Sequence, residues 1–329
     1  MPDKAIGVLG IGAYVPDRVM TNDEWAEHVD TSDEWIFART GIKTRRIAAE
    51  DQTTVDLAAA AAERALTDAE VTIEEIDEII VATDTPEVYL PDTASYLQNR
   101  LGAREVPAFD LAGSGCAGFI LGLDVAHSRV RTGDRKILLV GVELLTRLMD
   151  WTDRATCVLF GDAAGAAVIG SGDGAAEILG FTAGTDGTQA GILGLEAGGT
   201  RVPFTLESAQ RRDHKKIVMK GREVFREAVT RMGAAAKEVL AQASATVNDL
   251  KLVIPHQANL RIINAVQKAL EIPDDKICIN VQDYGNTGSA SVPLALWEAR
   301  NQGRIDPGDL VLLTAFGAGF HWSAALLRF

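Results

Sequence analysis

Three residues of the sequence stand in local settings suited to chemistry rather than to packing. Cys116 lies in a glycine-rich segment, His256 directly follows an apolar run, and Asn286 lies in a second glycine-rich segment. A thiol can hold an acyl group covalently, while imidazole and carboxamide groups can stabilise a negatively charged oxygen. The set Cys, His, Asn therefore predicts acyl-transfer chemistry.

Cys116 lies where a predicted strand, residues 106–111, gives way to a helical pattern. Gly113 and Gly115 permit a tight turn just before it. Because a helix N-terminus carries partial positive charge, we expect the pKa of this thiol to be lowered from about 8.5, which favours a nucleophilic thiolate. Cys157 and Cys278 lie in apolar stretches that resemble strands, and we interpret both as buried structural cysteines.

His256 directly follows the strand predicted at residues 250–254. Proteins of the α/β class usually place their chemistry at the carboxyl ends of strands, so we expect this imidazole to be functional. The other histidines have no comparable setting, and no pair of them has metal-ligand spacing, so we expect no metal site. Asn286, considered alone, is best explained as a turn or helix N-cap residue.

Composition restricts the class of protein. The chain has 329 residues, 47% hydrophobic and 24% charged, which is typical of a globular protein. No apolar run approaches the roughly 18 residues needed to cross a bilayer, and residues 1–7 lack a basic leader with an apolar core. Three scattered cysteines suggest reduced thiols, so we expect a cytoplasmic protein. A net charge of −14 disfavours nucleic-acid binding.

One segment reverses this acidic balance. Residues 211–226 contain seven basic residues and two acidic ones. The simplest interpretation is a solvated loop that leads into a helix. In a chain this acidic, the reversal also favours an anionic partner or a phosphate-bearing ligand.

A weak internal repeat organises the chain. Cys116 precedes a helical stretch that ends near Gly133, and Asn286 precedes one that ends near Gly303, so both spacings are 17 positions. Apolar strands follow at residues 137–140 and 310–313, and each half contains an earlier strand, at residues 77–83 and 250–254. This alternation predicts two α/β halves, residues 1–170 and 171–329, with the active site where they meet.

Taken together, these segments resemble the bacterial β-ketoacyl-acyl-carrier-protein synthase III family, which has the thiolase fold. The resemblance covers nearly the whole chain. Its matching segments are residues 35–45, 116–119, 152–154, 160–165, 219–225, 256–263, 285–287 and 316–322. The resemblance implies a five-layered αβαβα homodimer, an acyltransferase that begins fatty-acid synthesis. It would condense an acyl-CoA primer with malonyl-acyl-carrier protein and release CoA and carbon dioxide, without a cofactor.

The resemblance also implies catalytic roles. Cys116 would attack the acyl-CoA thioester and keep the acyl group. His256 and Asn286 would donate hydrogen bonds to the enolate left when the malonyl thioester loses carbon dioxide. The backbone N–H groups of Cys116 and Ala318 would hold the thioester oxygen.

Binding roles follow by matching position. Trp35 and Arg154 resemble the pair that sandwiches the CoA adenine, with Arg39 near its phosphate. The pantetheine tunnel would be lined by Gly221, Ala258 and Asn259. The acyl pocket would be formed by Leu90, Leu145, Phe160, Met219 and Phe316. The acidic carrier protein would dock on Arg226, Arg261 and Lys268, which gives the basic segment a purpose.

Three positions depart from the family's pattern. Five residues, rather than four, separate Asp110 from Cys116, which affects the shape of the nucleophile turn. Arg222 occupies a position that is often Asn, so one CoA contact differs. Leu90 stands where some members place Phe at the pocket wall, and a smaller side chain there could admit a longer or branched primer.

Several alternatives share some of these features. A degradative thiolase would need a second cysteine in the closing loop, which offers none, and a hydroxymethylglutaryl-CoA synthase would need a catalytic Glu. Papain-like proteases also use Cys, His and Asn, but their cysteine signature is absent. A related condensing enzyme or acyltransferase of a polyketide or quinolone pathway, and a non-catalytic acyl-CoA binder, remain open.

Overall fold

The computed structural model describes residues 5–133, 135–172 and 174–329. Residues 1–4, part of the segment inspected for a leader, lie outside this description. The strands are β1 Ile6–Tyr14, β2 Arg18–Thr21, β3 Thr44–Ile47, β4 Glu78–Thr83, β5 Ala108–Ala112, β6 Ile137–Leu144, β7 Asp162–Ser171, β8 Ala176–Thr185, β9 Leu193–Leu195, β10 Ile217–Met219, β11 Leu250–Pro255, β12 Leu310–Gly317 and β13 His321–Arg328. The helices are α1 Asn22–His28, α2 Asp33–Thr40, α3 Thr54–Asp68, α4 Thr93–Leu101, α5 Gly118–Arg131, α6 Leu206–Gln210, α7 Gly221–Gln242, α8 Leu260–Ala269, α9 Val281–Tyr284 and α10 Ser291–Asn301.

Nine strands form one mixed sheet in the order β11-β12-β13-β8-β1-β7-β6-β4-β5. A single strand pattern occurs twice in it. In the first half β4 is parallel to β5 and β6, and β6, β7 and β1 follow antiparallel. In the second half β11 is parallel to β12 and forms a parallel bridge to Ile277, and β12, β13 and β8 follow antiparallel. The sequence repeat thus has a counterpart in the sheet, while the boundary at residue 170 stays a prediction.

The helices separate into three layers around the two halves of the sheet. Helices α5 and α10 share one apolar core with strands of both halves, so they form the middle layer. Helices α3 and α4 cover the outer side of the first half, and α7 and α8 cover the outer side of the second. Alanine dominates the buried face of α3, which lets it lie close against β1 and β7. The predicted αβαβα arrangement is confirmed.

One detail differs from the sequence-based expectations. Cys157 lies in a series of turns rather than in a strand, although it is fully buried, as expected of a structural cysteine. The expected helix after Asn286 is present; it begins at Ser291, after a short 3-10 turn, Gly288–Ala290. Within the described ranges, no helix combines the length and apolar character needed to cross a bilayer.

Candidate active site

The nucleophile turn places Cys116 between β5 and α5. Gly113 and Gly115 adopt φ values of 70° and 58°, which side chains rarely tolerate, so both glycines are required by the backbone here. Asp110 lies in β5, shortly before this turn, and its carboxylate accepts hydrogen bonds from the amides of Thr93 and Ala94 at 2.7 and 2.9 Å. The turn between Asp110 and Cys116 therefore contains two left-handed glycines.

The turn packs against the closing loop of the chain. A Cβ atom at Gly115 would lie 2.7 Å from the Ala318 nitrogen, and one at Gly317 would overlap the Cys116 nitrogen. Only glycine permits backbones to approach this closely. The amide groups of Cys116 and Ala318 are therefore neighbours, as a pair of oxyanion donors must be.

Two backbone hydrogen bonds fix the position of Asn286. Its N–H donates to the Leu159 carbonyl at 2.8 Å, and its carbonyl accepts from the Gly161 amide at 3.0 Å. The side-chain oxygen accepts from the Gly288 amide at 2.9 Å. This leaves the carboxamide NH₂ available, and it faces Cys116, where it offers the sulfur a hydrogen bond.

His256 lies at the end of β11 and is 3% exposed. Its amide donates to the Thr314 carbonyl at 2.8 Å, which aligns it with the neighbouring strand β12. The ring Nδ1 lies 2.6 Å from the Ser291 hydroxyl. Burial lowers the pKa of His256 to about 3, so the imidazole is neutral at physiological pH.

The expected lowering of the Cys116 pKa is wrong for the free enzyme. Burial raises the pKa of this thiol well above its ordinary value, and the nearby Asp84 carboxyl group raises it further. The hydrogen bond from Asn286 offsets only part of the effect. The resting nucleophile is therefore a thiol.

A cavity of about 1440 Å³ connects these residues with the surface. Cys116, His256 and Asn286 line it together, as do four of the five predicted acyl-pocket residues: Leu145, Phe160, Met219 and Phe316. Leu90 does not line this cavity, because its side chain points outward and is 85% exposed. Arg222 lines the cavity beside Gly221.

Trp35 and Arg39 line the cavity from helix α2, far along the chain from Cys116. The Arg154 guanidinium carbon lies 4.8 Å from the Trp35 ring centroid, and that of Arg39 lies 4.3 Å from it. A ring sandwiched between Trp35 and Arg154 needs about 7 Å, twice a normal contact distance of about 3.5 Å. The predicted sandwich is therefore closed in this conformation, and Arg154 must move to admit a base.

The predicted pantetheine residues lie on the same cavity, and Asn259 also has a structural role there. Gly221, Ala258 and Asn259 all line it. Asn259 is also the N-cap of α8, since its side-chain oxygen accepts from the Arg261 amide at 2.8 Å, and its NH₂ donates to the Arg39 carbonyl at 3.2 Å. It therefore links the start of α8 to α2 at the cavity wall.

The predicted docking residues lie on two helices in contact, α7 and α8. Arg226, Arg261 and Lys268 are all exposed, and Arg261 also lines the cavity. Arg226 pairs with Glu227 at 3.3 Å. Part of the basic segment is neutralised in the same way, because Arg211 and Lys216 pair with Asp213.

Two carboxyl groups close to Cys116, a half-buried one and a fully buried one, were not predicted from the sequence. Asp84 follows β4 and accepts a hydrogen bond from the Gly115 amide at 3.3 Å. Glu143 lies inside β6 and is fully buried. The sequence does contain a signal for Glu143, since it is the one charged residue in the apolar run of residues 137–145. Among the described residues, no cluster of His, Cys, Asp and Glu has the geometry of a metal site.

Comparison with known proteins shows the family of this chain. Residues 109–187 match the family model "3-Oxoacyl-[acyl-carrier-protein (ACP)] synthase III", and residues 240–329 match the model of its C-terminal part. A β-ketoacyl-[acyl-carrier-protein] synthase III from Caldanaerobacter subterraneus subsp. tengcongensis is 48% identical over 98% of this chain and 98% of its own length.

Two solved structures extend the likeness to three dimensions. The 3-oxoacyl-[acyl-carrier-protein] synthase III from Aquifex aeolicus VF5 is 43% identical with a TM-score of 0.91, over 98% of this chain and 100% of that one. The priming β-ketosynthase of the R1128 polyketide biosynthetic pathway is 38% identical with a TM-score of 0.90, over 100% of this chain and 98% of that one.

Proposed function

Because the chain belongs to the 3-oxoacyl-[acyl-carrier-protein] synthase III family, we propose that Cys116, His256 and Asn286 divide its reaction into two half-reactions at one cavity. The enzyme is an acyltransferase of the condensing type. It catalyses the initiating condensation of fatty-acid synthesis, in which an acyl-CoA primer is joined to malonyl-acyl-carrier protein. The assignment of residues to steps is our proposal.

In the first half-reaction the Cys116 sulfur attacks the thioester carbon of acyl-CoA. A bond forms between Sγ and that carbon, the bond from the carbon to the CoA sulfur breaks, and the thiol proton leaves with CoA. Because the pKa of the resting thiol is raised, proton transfer accompanies the attack. The adjacent amides of Cys116 and Ala318 would hold the developing oxyanion.

In the second half-reaction malonyl-acyl-carrier protein loses carbon dioxide, and its thioester becomes an enolate. Neutral His256 and the Asn286 NH₂ would donate hydrogen bonds to the enolate oxygen. The enolate carbon then attacks the acyl carbonyl on Cys116, a carbon–carbon bond forms, and the cysteine sulfur leaves. The sulfur takes up a proton as the thiol is restored.

The remaining cavity residues would bind the substrates. Trp35 and Arg39 would hold the nucleotide part of CoA, with Arg154 swinging aside from the Trp35 ring. Pantetheine would pass Gly221, Ala258 and Asn259. The acidic carrier protein would meet the exposed basic residues on α7 and α8: Arg226, Arg261 and Lys268. This reaction requires no metal or redox cofactor.

The assembly and location are also proposals. Tyr89 and Leu90 are 83% and 85% exposed, and Phe204 is 60% exposed, which supports burial of this apolar surface in a homodimer. Light scattering of the purified chain at two concentrations tests the dimer, and a stable monomer would refute it. The three free cysteines support a cytoplasmic location.

One observation carries the catalytic proposal: the thiol, imidazole and carboxamide meet on one cavity although the His and Asn lie far from the Cys along the chain. Incubation with labelled acetyl-CoA should leave label on the wild type but not on Cys116→Ala. His256→Ala and Asn286→Ala should still acylate and lose condensation by about 10²–10³-fold. Cys278→Ala is the matched cysteine control. Condensation at the wild-type rate in both the His and Asn variants would refute the division.

A second candidate is the priming condensation of a polyketide pathway. The likeness to the R1128 priming ketosynthase, at 38% identity over the whole chain, favours it specifically. The test compares acetyl-, isobutyryl- and octanoyl-CoA as primers, each with malonyl groups on a fatty-acid and on a polyketide carrier protein. Preference for the polyketide carrier protein would support this candidate.

A further inference from the structure

The carboxyl group of Glu143 is a buried ionisable group beside the site that the two half-reactions leave unused. Its residue is fully buried in β6. Each hydrogen-bond partner that the described part of the chain offers its side chain is neutral: the amide of Asp84 and the hydroxyl groups of Thr85 and Ser289. A buried carboxylate without a cation is costly, so its protonation state needs an explanation.

The Ser289 hydroxyl settles where the proton lies. Its oxygen is 2.9 Å from the Ala82 carbonyl oxygen and 3.0 Å from Oε1 of Glu143. A hydroxyl group has one proton to donate, and a backbone carbonyl can only accept. Both contacts therefore contain a proton only if Ser289 donates to Ala82 and Glu143 donates to Ser289.

The other carboxyl oxygen has only donors around it. Oε2 of Glu143 lies 2.8 Å from the Thr85 hydroxyl and 3.2 Å from the Asp84 amide, which is shared with Oε1 at 3.1 Å. Thr85 can donate its proton there, because its oxygen already accepts from the Leu144 amide at 2.9 Å. Oε2 is thus the carbonyl oxygen of a carboxylic acid, and Oε1 is its hydroxyl oxygen.

This acid joins the two catalytic segments. On one side it binds Ser289, and a Cβ at Gly288 would lie 2.7 Å from the Glu143 side chain, so Gly288 packs directly on it. The Gly288 amide in turn fixes the side-chain oxygen of Asn286. On the other side Glu143 binds the Asp84 amide, and the Asp84 carboxyl group accepts from the amide that precedes Cys116.

We propose that Glu143 is a positioning residue that acts as a neutral carboxylic acid, donating its proton to Ser289 and thereby orienting the Asn286 carboxamide toward Cys116. Burial and the nearby Asp84 carboxyl group raise the pKa of Glu143 well above its usual range, which agrees with this protonation. An ionised Glu143 would add a second negative charge beside the Asp84 carboxyl group, and this charge would oppose formation of the enolate. The inference rests on the proposed role of Asn286.

Infrared spectroscopy tests directly whether the Glu143 carboxyl group is protonated. The difference spectrum between wild type and Glu143→Gln at neutral pH should show the loss of a protonated-carboxyl C=O band. Glu78 supplies the matched control, because it is also buried but lies 3.6 and 3.3 Å from Arg129 and Arg135. Glu78→Gln should lose carboxylate bands instead. Loss of carboxylate bands in Glu143→Gln would overturn the proposal, whatever the enzyme's reaction proves to be.

Kinetics tests the positioning. Glu143→Ala should lower condensation about 10²-fold while acylation of Cys116 from labelled acyl-CoA stays within about threefold. Gln can donate to Ser289 and accept from Thr85, so Glu143→Gln should recover condensation to within about threefold of wild type. A Gln variant as weak in condensation as the Ala variant, or an Ala variant condensing at the wild-type rate, would overturn it. If the Ala variant does not fold, the Gln variant still decides.

Discussion

The imidazole Nδ1 of His256 lies 2.6 Å from the hydroxyl oxygen of Ser291, at the buried start of α10. Burial keeps the ring neutral, so only one of its nitrogens carries a proton. A ring that donates to an enolate through Nε2 must accept at Nδ1, and Ser291 is placed to donate there. Ser291 therefore selects the tautomer that the proposed decarboxylation needs.

Removal of this hydroxyl should impair one half-reaction only. In Ser291→Ala the imidazole has no donor at Nδ1, and the population with a proton on Nε2 falls. We expect condensation to slow about tenfold to a hundredfold, with acylation of Cys116 unchanged. The measurement is single-turnover kinetics of each half-reaction. Ser291→Thr keeps the hydroxyl and should stay close to wild type. Equal slowing of both half-reactions would contradict the tautomer argument.

The lowered pKa of His256 predicts a pH dependence of stability. Its pKa falls from 6.5 to about 3 on folding, so below pH 6.5 the unfolded chain binds the proton and the folded chain does not. Stability is therefore complete above pH 6.5 and is lost as pH falls toward 3. As the pH falls from about 7 to about 5, this group should lower the free energy of unfolding by roughly 2 kcal/mol. Urea unfolding of wild type and His256→Gln at several pH values measures this loss. The same pH dependence of the unfolding free energy in both proteins would contradict the prediction.

The raised pKa of Cys116 predicts slow alkylation of the free enzyme. Burial is the largest cause and the Asp84 carboxyl group the next. Asp84→Asn removes a negative charge and keeps an oxygen that can accept from the Gly115 amide. We expect iodoacetamide to modify the variant roughly threefold to tenfold faster at neutral pH. Mass spectrometry should place the label on Cys116, and Cys116→Ala is the blank. An unchanged rate would refute the electrostatic effect of Asp84.

Local signals in the sequence predicted several strands of the sheet and brought the proposed catalytic residues to attention. Apolar runs marked β4, β6, β11 and β12, and glycine-rich turns marked Cys116 and Asn286. The turns at Cys157 were misread because its apolar neighbours resemble a strand. There the Asp153 side chain binds the Ala155 amide and the Thr156 hydroxyl, which favours a turn.

The roles of the buried carboxyl groups could not be predicted in this way. Glu143 meets Ser289, which is 146 positions further along the chain, and only the folded sheet brings them together. The pKa of Cys116 was mispredicted for a related reason. The helix terminus was visible in the sequence, but the burial of the thiol and the nearby Asp84 carboxyl group were not.

Trp35 should contribute to binding of acyl-CoA rather than to chemistry. Stacking of a base on an aromatic ring is worth about 1–3 kcal/mol, so Trp35→Ala should raise the KM for acyl-CoA about tenfold with little change in kcat. Lys43 lies over the exposed Phe37 ring at 5.6 Å and lines no part of the cavity, so Lys43→Ala is a matched control. Equal KM values in the two variants would contradict a CoA site at Trp35.

Lys268 separates carrier-protein docking from acyl-CoA binding. It is exposed in the last turn of α8 and does not line the cavity, so it can contact a protein without touching CoA. Lys268→Glu should raise the KM for malonyl-acyl-carrier protein about tenfold at low ionic strength, less at high salt, and leave the KM for acyl-CoA unchanged. Arg131 is exposed at the far end of α5, about 20 Å from the Cys116 end, and Arg131→Glu is the matched charge reversal. If the two reversals raise this KM equally, net charge rather than a docking surface on α7 and α8 governs carrier-protein binding.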